Sequence, residues 1–314
     1  MALTYLASDL EVDTNEVVEA IQTEAISRRI ANPQTILAVE DQEVTVETIT
    51  QKIIMSTGLD PFRARRAAAR IVKNKFAVPV YAIEIQYIIE EYLRMNKGKL
   101  PVKRIVALVQ EVFARNEDAY FFTATANTNI PGDFEGIAAT GNFRAPTSTL
   151  IANDYDTGVS SLAAMINDLV NGISGQKGMK GLVRQNPMIL IVNADVESNA
   201  AGTLQTTSSE TLLSRWIKML VERGGPGSRI EVSDFLACTI AVNDNNEVTV
   251  TETLSNAALV CVTPRGFATY NSIIEQRTRP LTKADGYYNK IVNRYLNLVH
   301  NPDAIIFEDG VTVT

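Results

Sequence analysis

Residues 172–181 read GISGQKGMKG, placing Gly172, Gly175, Gly178 and Gly181 at every third position with Lys177 and Lys180 between them. Glycine lets a backbone approach closely and lysine supplies charge, so the stretch holds the ingredients of a phosphate cradle. Such a cradle needs the order strand, glycine turn, helix, because backbone N–H groups and the helix N-terminus must face the anion. Here the order is reversed: an amphipathic helical pattern precedes the glycines and the apolar run MILIV (188–192) follows. Gly172 or Gly175 therefore reads as a helix C-cap and the remainder as a loop. RGGPGSR (223–229) also leaves a helical pattern and enters a strand pattern, so it fails the same test. A phosphate-handling α/β enzyme using the 172–181 loop is retained as a distant alternative.

The other chemistry-bearing residues are sparse. His300 is the single histidine, which leaves no paired-histidine metal site. Cys238 and Cys261 are too few for a metal cluster or a disulfide framework and read as small core residues. Glu90 and Glu91 are adjacent, so their side chains diverge on most backbones. No catalytic, metal-binding or cofactor-binding residue is assigned, and no cofactor is expected. One candidate for phosphate contact is the basic run Arg63, Arg65, Arg66, Arg70, Lys73 and Lys75, with only Phe62 and Phe76 nearby for base stacking.

The elements around these residues follow from periodicity. VDTNEVVEAIQTEAISRRI has helical spacing and ends before Pro33. EVTVETIT (43–50) alternates like a strand. LDPFRARRAAARIVKNK (59–75) reads as a helix, with Asp60 as N-cap and Pro61 in the first turn. AVPVYAIEIQYI (77–88) alternates again, so two long strands are expected to enclose a basic tip. KLPVKRIVALVQEVFARNEDAYFF predicts a helix starting near Pro101, with Val102, Ile105, Val109 and Val112 as its apolar stripe. Residues 123–155 read as a long ordered loop anchored by Ile130, Phe134, Ile137 and Phe143. A second helix aligns Leu162, Ile166, Leu169 and Ile173, and a third buries Leu213, Trp216 and Leu220 and ends at Gly224. Strand patterns follow in RIEVSDFLA, EVTVTE, AALVCVTP and YYNKIVNRYLNLV, and Asn301-Pro302-Asp303 marks a turn. Helices and strands mix without a regular βαβ period, which predicts an α+β fold.

The 314 residues suffice for one large domain or two ordinary ones, and 46% hydrophobic content supports a normal core. No apolar run reaches membrane-span length, and the N-terminus lacks the basic-then-apolar order of a signal peptide, so a cytoplasmic soluble chain with no membrane partner is expected. The net charge of −7 is unevenly placed. Residues 1–50 hold ten Asp/Glu and two Arg, whereas residues 51–115 hold thirteen Lys/Arg and five Asp/Glu. Segments of opposite sign attract, within a chain or between copies.

The order of elements carries a resemblance. VPVYAIEIQYIIEEYLRMNKGKLPVKRIVALVQEVFARNEDAYFFTA runs strand, polar break, long helix and aromatic-rich exit, followed by a loop with PGDFEGI, and RYLNLVHNPDAIIFEDGV runs strand, proline turn, short apolar strand and acidic-glycine turn. Over roughly residues 40–314 this resembles the major capsid proteins of tailed bacteriophages (the phage Hong Kong ninety-seven fold), which encapsulin nanocompartments share. The resemblance implies an N-terminal arm (1–40), an extended E-loop (41–88), a peripheral domain with a long spine helix (89–155), an axial domain (156–286) and a C-terminal return to the peripheral domain (287–314). It implies a structural protein, not an enzyme. Copies would self-assemble into hexamers and pentamers of an icosahedral shell around a viral DNA genome; the alternative is an encapsulin-type shell. Other implied partners are capsid or portal proteins and double-stranded DNA, weakly and non-specifically, on the inner face. The implied location is the virion capsid, assembled in the host cytoplasm. An E-loop cannot bury both faces on its own subunit. Arg63, Arg65, Arg66 and Arg70 are therefore expected to contact a neighbouring subunit, with Glu11, Asp13, Glu16 and Glu19 of the arm as leading partners.

Overall fold

The structure is a computed structural model that describes residues 25–30, 33–37, 43–49, 71–77, 80–88, 102–124, 136–173, 178–179, 186–242, 248–251, 256–262, 266–272, 275–280, 286–299 and 301–313. Its helices are Ile26–Ile30 (α1), Val102–Phe122 (α2), Tyr155–Asn171 (α3), Ala194–Gly202 (α4) and Leu212–Gly224 (α5). Its strands are Pro33–Leu37 (β1), Glu43–Ile49 (β2), Ile71–Ala77 (β3), Val80–Ile88 (β4), Met188–Val192 (β5), Arg229–Val232 (β6), Thr239–Val242 (β7), Val248–Thr251 (β8), Ala258–Val262 (β9), Phe267–Ser272 (β10), Glu275–Pro280 (β11), Gly286–Val299 (β12) and Ile305–Glu308 (β13). Helices and sheets are mixed, as an α+β chain requires.

MILIV forms the strand around which the main core is built. All five residues of β5 are buried. Successive strand side chains point to opposite faces, so Met188, Leu190 and Val192 enter one apolar cluster and Ile189 and Ile191 enter another. The sheet order is β13-β9-β5-β6, antiparallel except where β5 pairs with β6. That parallel step needs a crossover, and α4 and α5 supply it. The α4 helix was not foreseen: its sequence, ADVESNAAG, is short and weakly apolar, with only Val196 and Ala200 buried.

Helices α3 and α5 cover one face of this sheet. Leu162, Ile166 and Leu169 of α3 are buried as the spacing predicts, and Ile173 packs against them. Trp216 of α5 is fully buried, and its indole N–H donates to the Gly158 carbonyl at 3.1 Å. Close packing also requires glycine at 158, because a Cβ there would lie 2.6 Å from both the Ile151 carbonyl oxygen and the Leu212 Cδ2. Helix caps fix both ends of α3. The Asp154 side chain accepts from the Thr157 N–H, and Gly172 terminates the helix at a φ of 82°.

The opposite face packs on the end of α2 through Phe121 and Phe122, on Ile137 and Ala138 of the following loop, and on Ile26 and Ile30 of α1. One member of the expected α2 stripe is corrected here. Val112 is 41% exposed, while Phe113, one residue and about 100° further around the helix, is buried. The buried arc of the last turns runs through Phe113, Glu117, Tyr120 and Phe121, on the side where α1 and the sheets pack.

A second sheet has the order β1-β10-β12-β11, and β4 also pairs with β12. The 14-residue β12 joins two halves: Gly286–Arg294 lies against β4, and Tyr295–Val299 lies against β10. Its inward face presents Ile291, Asn293, Tyr295 and Asn297, and Tyr295 meets Tyr120 of α2 edge-on at 5.8 Å. The side-chain polar atoms of Asn293, Asn297 and Thr269 are buried without a hydrogen-bond partner among the described residues.

The hairpin expectation is also corrected. β2 pairs with β3, in a register that sets Glu47 opposite Lys73 and Thr45 opposite Lys75. Thus IVKNKFA (71–77) is a strand, not the end of a helix, and the AVPVYAIEIQYI segment supplies β4 of the second sheet instead of the hairpin's return strand. Ile71 and Val72 are β-branched and side by side, which favours a strand once a partner is in register. The tip at 50–70 lies outside the described residues.

Two outcomes follow for the packing. Trp216→Ala should lower unfolding free energy by about 3–5 kcal/mol, as for other buried aromatic truncations. Denaturant titration checks this, and Trp216 emission should be blue-shifted and shielded from quencher. Asn293→Leu removes an unsatisfied buried amide and should raise stability by about 1–3 kcal/mol, read as a higher urea midpoint at unchanged slope.

Candidate functional site

The most elaborate polar arrangement among the described residues is the anchor of the N-terminal segment. Arg28 and Arg29 are the only cations in the first fifty residues, and both are held by acids distant in sequence. Arg28 Nε donates to Glu117 Oε1 at 2.7 Å, with the two side chains 8% and 0% exposed. Arg29 Nη2 lies 3.2 Å from Glu231 Oε2 on β6. Arg229 reinforces this pair, with Nε 2.6 Å from Glu231 Oε1 and Nη2 donating to the Arg29 carbonyl at 3.0 Å.

Asp118 caps α1 from across the fold. Its Oδ2 accepts from the Ile26 N–H at 3.0 Å and its Oδ1 from the Ser27 N–H at 2.8 Å. A helix N-terminus leaves such N–H groups unpaired, and an anion there is favoured by the helix dipole. A remote carboxylate thus replaces a local N-cap, because the residue before α1 is Ala25, which has no acceptor side chain. Ile26 and Ile30 add apolar contact. The segment is therefore stapled to the end of α2 and to the edge strand β6 together.

Burial opposes these charges. It pushes the Asp118 carboxyl up to about 6, against the opposing effect of the N–H bonds from Ser27 and Ile26. It also raises Glu117, opposed by the Arg28 guanidinium. A carboxyl raised on folding contributes stability that is fully present below its ordinary value and is lost as pH rises through the folded value. Asp118 should therefore contribute more to global folding stability at pH 5 than at pH 7.5, by up to about 3 kcal/mol for a shift of about two pH units. The N–H bonds from α1 act in the opposite sense, since they favour the ionised carboxylate. Urea titrations at the two pH values should show this slope, and Asp118→Asn should flatten it.

The residues singled out from sequence fare differently. Gly172 is the C-cap of α3. Gly178 is explained by packing: a Cβ there would lie 2.3 Å from the Val170 carbonyl oxygen and from the Gly172 nitrogen. Met179 N–H then donates to the Leu169 carbonyl at 3.0 Å, folding the loop back onto its own helix. Lys177, Lys180 and Gly181 lie outside the described residues, as do His300, Ile130 and Phe134. In the second glycine loop, Gly225 and Gly227 both have positive φ, as a turn from α5 into β6 requires. Cys238 and Cys261 are buried and unpaired with each other. Asn301 caps a single 3-10 turn at Pro302–Ala304. Arg63, Arg65, Arg66 and Arg70, and Glu11, Asp13, Glu16 and Glu19, all lie outside the described residues. The anchor has little local signature in the sequence, because the acids that hold it lie 89 or more residues from the arginines and N–H groups they bind. The useful signal was the pair of isolated arginines within the arm.

Comparison with solved structures shows which overall fold the chain shares. The capsid of Myoviridae phage XM1 superposes with a TM-score of 0.59 at 11% identity, covering 88% of this chain and 89% of that one. The virus-like particle from Pyrococcus furiosus gives 0.55 at 13% identity, covering 93% and 96%. The holo-SrpI encapsulin complex from Synechococcus elongatus gives 0.50 at 9% identity, covering 89% and 86%. No protein-family model matches the chain, and no curated protein sequence matches it. No helix among the described residues is long and apolar enough to cross a membrane. The chain carries the major capsid fold of tailed bacteriophages, the fold that encapsulin shells share.

Proposed function

We propose that this chain is a major capsid protein, a structural subunit that self-assembles into the hexamers and pentamers of a closed shell around a double-stranded DNA genome. The observation that carries the reading is end-to-end agreement with shell-forming chains, since 93% of this chain aligns with 96% of the Pyrococcus particle subunit. The role is structural and needs no resident cofactor. The shell forms the virion capsid, built in the host cytoplasm, and portal or other capsid proteins would join it.

Within this reading, the stretches before α1 and between β2 and β3 reach neighbouring subunits. Arg63, Arg65, Arg66 and Arg70 of the tip face Glu11, Asp13, Glu16 and Glu19 of an adjacent arm. The charge reversal between residues 1–50 and 51–115 motivates the pairing. A single exposed pair contributes only about 0–1 kcal/mol, so the effect depends on several pairs repeated over a shell.

Expression of the chain alone, followed by sedimentation and electron microscopy, tests the reading. Assemblies far larger than a 34.4 kDa monomer are expected; a compact monomer at high protein concentration and ordinary salt would overturn it. Particles purified from the native source should contain DNA, whereas a protein cargo would favour the encapsulin alternative. Reversing the four arginines to glutamate should block assembly, and adding lysine at the four arm acids should restore part of it. Normal assembly of the first variant would remove the tip from the interface, and failure of rescue would remove the arm as its partner.

A further inference from the structure

Two Asn–Gly or Asp–Gly steps lie wholly within the described residues, Asn171–Gly172 and Asp309–Gly310. Such steps are chemically weak points. The glycine nitrogen can reach the preceding side-chain carbonyl carbon, because the ring that forms has five members and glycine has no side chain to block the approach. Whether it does so in a folded chain depends on how that nitrogen is held.

The two steps are held in opposite ways. Asn171 is exposed, but the Gly172 N–H donates to the Asp168 carbonyl at 2.9 Å and closes α3. The chain at Gly178 packs over the same nitrogen, since a Cβ on Gly178 would lie 2.3 Å from it. Asp309 and Gly310 follow the end of β13, and both are exposed. The Gly310 N–H makes no hydrogen bond among the described residues, and a Cβ built on Gly310 would meet nothing within 4 Å.

The chain is nevertheless gripped on both sides of the 309–310 step. Before it, Glu308 Oε2 accepts from the Leu150 N–H at 2.8 Å. After it, the Val311 N–H donates to the Asn256 carbonyl at 2.9 Å and the Thr312 N–H to the Leu150 carbonyl at 3.0 Å. The Ala152 N–H donates to the Thr312 carbonyl at 2.8 Å, and Val311 is buried in the main core. Glu308 and Thr312 thus both hold Leu150, which fixes the length of chain between them. An extra main-chain atom in that interval cannot be absorbed without releasing one of these contacts.

We propose that Asp309–Gly310 is a site of spontaneous isomerisation to isoaspartate, and that the product unlatches Val311–Thr312 from Leu150–Ala152. The Gly310 nitrogen forms a bond to the side-chain carboxyl carbon of Asp309. The carboxyl C–OH bond breaks, and the hydroxyl leaves with the N–H proton as one water. The resulting cyclic imide takes up one water at the original main-chain carbonyl, and the C–N bond there breaks. The chain then runs through the side-chain carbon, one methylene longer, with a free carboxyl on the former main-chain carbon. Nothing is oxidised or reduced, and water is the only co-reactant. The chemistry needs no partner chain, so it holds whether or not copies assemble.

The experiment ages the full-length protein and its Gly310→Ala variant in warm neutral buffer, folded and in guanidinium chloride. Peptide mass spectrometry with electron-transfer fragmentation locates the isoaspartate. Folding should slow reaction at Asn171 by about tenfold or more, because that nitrogen is freed only when the helix end opens, and should leave Asp309 within about threefold of its unfolded rate. Fresh Gly310→Ala should melt like the wild type, since the added Cβ has room and Gly310 lies outside the left-handed region. It should form little isoaspartate at 309. Aged wild type should lose melting temperature in step with its isoaspartate at 309, and aged Gly310→Ala should not. Suppression at 309 on folding as strong as that at 171 would overturn the site. Isoaspartate at 309 without a fall in melting temperature would overturn the unlatching.

Discussion

A strand whose five side chains are all apolar cannot leave either face wet. That constraint on Met188–Val192 organises most of what is described. At about 25 cal/mol per Å² of apolar surface, each exposed face would forfeit several kcal/mol. Two different layers therefore close over it. Helices α3 and α5 seal one face with Leu162, Leu169, Trp216 and Leu220. The end of α2 and the short α1 seal the other with Phe121, Phe122, Ile26 and Ile30. The second layer is assembled from segments about ninety residues apart, so it needs something more specific than apolar contact to set its register. The adjacent acids Glu117 and Asp118 provide this, one reading the Arg28 side chain and the other the backbone N–H groups of α1.

Those acids bring directional contact at a high desolvation cost. Breaking a buried pair by removing one partner typically costs about 3–5 kcal/mol, because the other charge stays buried. Glu117 is an instance of the imbalance, since one of its carboxylate oxygens is buried without a partner. Asn293 and Asn297 likewise leave amides unsatisfied on the buried face of β12. The seam between α1 and α2 is thus polar and incompletely paired where a purely apolar seam would be more stable. An arrangement of this kind fixes register at the expense of maximal stability.

Much of this was legible in the sequence. MILIV, the stripe Leu162, Ile166 and Leu169, the burial of Trp216, and the reversed order of glycines and helix all followed from periodicity and turn chemistry. The resemblance to a capsid fold came from the order of elements, which survives at 11% identity because it depends on pattern more than on particular residues. What failed was what depends on tertiary partners. IVKNKFA looks helical when read from the arginines before it, yet its strand state is set by pairing with Glu43–Ile49. Val112 and Phe113 are adjacent apolar residues, and only tertiary packing decides which turns inward. The anchor was invisible for the same reason: no local signal ties Arg28 to an acid 89 residues away.

The position of β13 has a consequence for the order of folding. Ile305–Glu308 pairs with β9 and buries Ile305, Ile306 and Phe307 on both faces of the main sheet, and Arg144 binds alongside through Ile305 and Phe307. Without this strand the sheet has an open, apolar β9 edge and an unfinished core. Long-range strand pairing of this kind is slow compared with local helix formation. Closure of the main sheet therefore waits on a contact between segments more than forty residues apart, and Leu259 and Cys261 stay uncovered on that edge until it forms.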